Sequence, residues 1–160
     1  MQAKTFKQIL KDSALPGAVA TATTLAAVAA RGRQETGSAI APINASSHAL
    51  WGEQAAEVER ITLRHTLPGL LANVAGAFWW ALVFETLFGT LVRTPSGRRS
   101  AVRAAAGSAA TAGLAYAVDY HILPRRLTPG WEHRVSNRAL AVGLGAMAAG
   151  LCIGALLERR

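Results

Sequence analysis

The sequence predicts an all-α polytopic membrane protein, a bundle of four transmembrane helices with a long polar loop between the first and the second. Three observations lead there. Apolar residues fill 51% of the 160 positions and lie in long charge-free blocks rather than short periodic ones, the distribution that lipid selects. The stretch Thr66 to Val92, TLPGLLANVAGAFWWALVFETLFGTLV, is bounded by Arg64 and Arg93. A helix rising about 1.5 Å per residue crosses a hydrocarbon core of about 30 Å with roughly twenty apolar residues, so this run is long enough. Finally, the basic residues that give the chain a net charge of +8 flank the apolar blocks, as they do at the ends of membrane spans.

Residues 1–12 read as an N-terminal amphipathic interfacial segment. Lys4, Lys7 and Lys11 share one helical face and Phe6, Ile9 and Leu10 another, which suits a short helix lying on a membrane surface. Residues 13–160 read as a single transmembrane domain. Its first span covers 13–30, with Ser13 as cap and Pro16 in the first turn, where a missing N–H does no harm. A basic leader, an Ala-rich run and Ala27-Val28-Ala29 also outline a signal peptide that would remove residues 1–29, but the long basic region and Asp12 favour retention.

The connection 31–65 contains GSAIAPINASSHALWG, too polar to face lipid alone. It is expected to be a loop, with a re-entrant course as the alternative, Trp51 at the interface and a short amphipathic helix over Glu53–Arg60. The second span covers 66–92. Leu-Pro-Gly opens it at 67–69 and also occurs at 15–17. The third covers 100–123 and ends before Pro124. The fourth covers 138–158, with Ser136 or Asn137 as cap. Small residues recur every four positions at Ala105, Ala109, Gly113 and Ala117, and again at Ala146, Gly150 and Gly154. That spacing lets backbones approach closely and points to packing within the bundle ahead of a dimer face.

Nine basic residues fall on the side holding both termini and eight on the other. Because all three lysines and the short loop lie on the first side, both termini are placed in the cytoplasm. The Ala- and Arg-rich composition points to a bacterial inner membrane.

Glu85 is the candidate site residue of the second span, because a carboxylate deep in a membrane costs about 2.5–3.5 kcal/mol and is kept for a reason. Phe78, Ala81 and Gly89 share its face, whereas Trp80, Val83 and Leu87 lie nearly opposite, which turns Glu85 toward neighbouring helices. Arg103 on the antiparallel third span is its expected partner, in an interhelical tie. Asn73 and Asp119 are the other intramembrane polar candidates. A second group, His48, His65, His121 and His133 with Asp119, Asn44, Glu53 and Glu132, falls on the far side. Imidazoles and carboxylates bind metals and sense pH, but no two histidines are spaced i, i+3 or i, i+4, so no metal site is assigned.

Several classes are disfavoured. Cys152 is the single cysteine, so an intrachain disulfide is excluded. There is no Ser/His/Asp order, phosphate-binding glycine loop or HExxH motif, and catalysis is not expected. No cofactor is expected, and no basic stripe interleaved with aromatics offers a nucleic-acid surface. The expected function is that of a small structural or accessory subunit, surrounded by lipid and packing with itself or with other membrane proteins. A minimal proton, ion or small-solute transporter centred on Glu85 is the alternative. A membrane enzyme, or a metal- or pH-responsive protein using the external His/Asp cluster, is the weaker one.

Overall fold

Residues 4–93 and 98–158 are described by a computed structural model, and no strand occurs among them. The all-α expectation holds. The long helices are α1 (Phe6–Thr36), α4 (Thr66–Arg93), α5 (Arg98–His121) and α6 (Asn137–Leu157), and α2 (Ala41–Ala45) and α3 (His48–Trp51) are single short turns between the first two. Three of the long helices, α1, α4 and α6, are long and apolar enough to cross a membrane. α5 falls short of the other three, because Arg98, Arg99 and Arg103 open it and Ala, Ser and Thr replace Leu along much of its length.

α1 begins earlier than expected. Thr5 is its cap: the Gln8 N–H donates to Thr5 Oγ1 at 3.3 Å and the Thr5 N–H to Gln8 Oε1 at 2.8 Å, a reciprocal capping box. The break expected between residues 12 and 13 is therefore absent. Ser13 sits inside the helix with its hydroxyl donating to Leu10 O, and Pro16 lies in the interior rather than the first turn. Proline there forfeits a helical hydrogen bond. Close packing accompanies the loss, since Pro16 is buried and a Cβ on Gly154 of α6 would overlap its backbone.

α1 packs between α4 and α6, and α5 lies against α4 and α6. The core of this arrangement is small and aromatic together, with Ala20, Trp80, Phe84, Ala115, Met147 and Leu151 all buried. On α6 the small-residue stripe works as expected. A side chain at Gly150 would collide with the Ala20 backbone, and Thr23 Oγ1 crosses the seam to donate to Ala146 O at 2.8 Å. At the start of α6, Ser136 caps by accepting from the Ala139 N–H, while its own N–H and hydroxyl donate to Glu35 at 2.8 Å each.

On α5 the expectation fails. Ala105, Ala109, Gly113 and Ala117 are all exposed, and the inward face is instead Ala104, Gly107, Ser108, Thr111, Ala112 and Ala115. Gly113 has open space where a Cβ would stand. The reason is compositional: when nearly every position is small, four-residue spacing marks several faces at once and cannot choose among them.

The connection after α1 is also unlike the polar loop expected. Gly37, at φ 79°, ends α1, and the chain then folds back with Ala41, Pro42 and residues 44–48 buried. Asn44, 0% exposed, organises it. Its Nδ2 donates to Val58 O at 2.6 Å and Arg60 O at 3.0 Å, and its Oδ1 accepts from Thr66 Oγ1 at 2.7 Å. Gly69 admits α2 against α4, because a Cβ there would overlap the Ile43 carbonyl. Glu53–Glu57 forms a 3₁₀ turn that stops short of Arg60.

Candidate functional site

Glu85 does turn inward, with a fully buried side chain, but among the described residues it is Lys4 that reaches it. Lys4 Nζ lies 2.8 Å from Glu85 Oε2 and 2.9 Å from Asp12 Oδ2, an ammonium bridging two carboxylates. Gly89, one turn beyond Glu85, leaves room for the pair, since a Cβ would overlap both the carboxylate and the ammonium. The expected partner Arg103 is exposed and donates instead to Leu91 O at 3.4 Å. The cause is the early start of α1, which carries Lys4 to the Glu85 turn of α4 rather than onto a membrane-surface helix. A buried ion pair of this kind is weak evidence for stability but a strong constraint on register.

Trp80 is also inward, 5% exposed, against the expectation that it lies opposite Glu85 on an outward face. α4 is covered by α1 on one side and α5 on another, so its buried arc is wide enough to include both residues. The indole Nε1 donates to Asp119 Oδ2 of α5 at 3.2 Å. Nearby, Trp131 Nε1 donates to Asn73 Oδ1 at 3.0 Å, and Asn73 Nδ2 donates to Ser46 Oγ and Gly69 O at 2.8 Å each. Two of the intramembrane polar candidates, Asn73 and Asp119, are thus each held by a tryptophan.

These groups line a cavity of about 580 Å³ whose wall includes Thr24, Asn73, Trp80, Asp119, Trp131 and Met147. Thr24 Oγ1 is buried and has no hydrogen-bond partner among the described residues. A largely apolar cavity with a few fixed polar groups suits a small amphipathic molecule. Its polar groups can orient such a molecule, but they include no activated nucleophile.

The four histidines do not converge. His65 sits on Thr62 Oγ1 at 3.1 Å and edge-on to Trp51, and His121 is exposed beside Tyr116. His48 and His133 do meet, with ring centroids 5.0 Å apart, and Glu132 joins them. Asp119, expected with the histidine group, is held by Trp80. Spacing gave no signal for the His48, Glu132 and His133 group, because one member lies in α3 and two in a 3₁₀ turn, Trp131–His133. The roles of Lys4, Gly89, Thr24 and Trp131 were likewise not legible before the helices were placed.

Comparison with protein-family models, with curated proteins and with solved structures returns no match. The class is therefore defined by the fold alone: an all-helical protein with three helices able to cross a membrane.

Proposed function

We propose that this protein is a small membrane-embedded accessory subunit that works by binding another transmembrane helix along the outward face of α5. One observation carries this: Ala105, Ala109, Gly113 and Ala117 form an exposed small-residue stripe on the long helix least suited to lipid. Small residues give helix association in membranes its close backbone contact, and the equivalent stripe on α6 is already filled by α1. Covering α5 with a second helix lets it act as the fourth span of a four-helix bundle despite its modest hydropathy. The setting is a bacterial inner membrane with both termini in the cytoplasm.

Large apolar side chains on the outer surface, among them Leu67, Leu71, Trp79, Leu87 and Leu91 of α4, support a lipid environment. The transport alternative is less well supported, because the Glu85 carboxylate is engaged by Lys4 and reads as an interhelical tie.

Photocrosslinking tests the proposal. A diazirine side chain placed at position 109 should give a discrete protein adduct in the native membrane, with a second copy or with another membrane protein. The same group at Val142, an exposed position on α6, should give lipid adducts. Lipid adducts alone at both positions would reject the α5 face.

A further inference from the structure

We propose that His48, Glu132 and His133 form a binding site for one divalent transition-metal ion of the Zn²⁺ class. One ligand atom from each residue lies within 4.8 Å of the other two. Around an ion with bonds near 2.1 Å, donors stand about 3.4 Å apart, so side-chain rotations that close the group by up to about 1.4 Å complete it. Two imidazoles and a carboxylate are a donor set that zinc-class ions take, with a further position left for another ligand.

His48 supplies the decisive geometry. It is 4% exposed, and both ring nitrogens face carbonyl oxygens: Nδ1 is 3.0 Å from Ala45 O and Nε2 is 3.0 Å from Arg125 O. A neutral imidazole has one N–H, so one of these contacts is a hydrogen bond and the other sets a lone pair against an oxygen. A cation at the second nitrogen removes that conflict if it sits off the N···O line, where the facing carbonyl, 3.0 Å from the nitrogen, joins it as a further oxygen ligand. The N–H to a backbone carbonyl is then the outer contact that metal-binding histidines ordinarily make.

The neighbouring groups point the same way. Glu132 Oε2 is buried with no hydrogen-bond partner among the described residues, while its Oε1 engages Thr128 and lies 3.7 Å from His133 Nε2. Protonating His48 alone would satisfy its two carbonyls. It would leave the His133 ring tied only to Glu132, whereas one divalent ion engages all three side chains. The arrangement is built by the backbone as well. Gly130 adopts φ 86°, and a Cβ there would press on Ala45 O and His48 Nδ1, so glycine lets the Trp131–His133 turn approach His48.

The test is a Co²⁺ titration of the purified full chain, with any affinity tag removed, in lipid nanodiscs, read by visible absorption. A single saturating equivalent with ligand-field bands is expected. His133→Ala and Glu132→Gln, both at partly exposed positions, should each weaken uptake by at least about tenfold, with circular dichroism checking that the fold is kept. His65→Ala and His121→Ala should leave uptake unchanged. No saturable uptake by the wild type would overturn the site, as would uptake that survives both His133→Ala and Glu132→Gln in folded protein.

Discussion

The ammonium of Lys4 stands 2.8 Å from the carboxylate of Glu85, 81 positions later in the chain, and joins the start of α1 to the interior of α4. The contact is compatible with one register of α1, because sliding the helix by one turn would remove Lys4 from Glu85.

Removing one partner should expose the cost of burying the other. Lys4→Met is expected to destabilise the fold by about 3 kcal/mol, and adding Glu85→Gln should restore a large part of that. Arg103→Ala, at an exposed side chain, should change stability by no more than about 0.5 kcal/mol. A double-mutant cycle on thermal unfolding in detergent checks all three, and simple additivity of the Lys4 and Glu85 changes would mean that they are not coupled.

Two glycines on α5 and α6 should respond in opposite ways to the same substitution. Gly154→Ala forces a Cβ into the Pro16 backbone and should cost about 1–3 kcal/mol. Gly113→Ala enters open space and should be neutral or stabilising by up to about 1 kcal/mol, because alanine is the better helix former. Comparable losses at both positions in the isolated protein would contradict the outward placement of the α5 stripe.

Much of this arrangement was legible in the sequence, and the failures share a cause. Charge-free runs and flanking arginines located α4 and α6 well, since being long and apolar enough to cross a membrane is a property of the run itself. The start of α1 is not legible because Ser13 and Pro16 form a persuasive helix opening, whereas the effective cap is the weaker-looking Thr5 and Gln8 pair. The segment after Gly37 read as an exposed loop on polarity alone. It is buried because Asn44 satisfies two distant carbonyls and a threonine hydroxyl, and pairings of that range leave no local pattern. The same limit hid the approach of His48 to Glu132 and His133.

Asn44→Ala therefore makes a sharp prediction. It leaves the Val58 and Arg60 carbonyls without the Asn44 amide and the Thr66 O–H without its acceptor, and should cost about 2–3 kcal/mol. Hydrogen exchange should quicken across residues 41–60 while the centre of α6 stays protected. Uniform exchange along the whole chain would show that the segment does not open on its own.

Trp131→Phe keeps most of the packing but removes the N–H that Asn73 Oδ1 accepts. About 1 kcal/mol of stability should be lost, and Asn73→Ala in the same background should cost less than it does alone. Equal costs for Asn73→Ala in both backgrounds would rule out the bond as a coupled element.

Association through α5 is most directly tested by native mass spectrometry of the protein released gently from its own membrane, comparing wild type with Gly113→Leu. A wild-type complex is expected, either with a second copy or with a companion membrane protein, and a monomer of unchanged fold for Gly113→Leu. A wild-type chain that flies only as a monomer, or a complex that survives Gly113→Leu intact, would contradict association through α5.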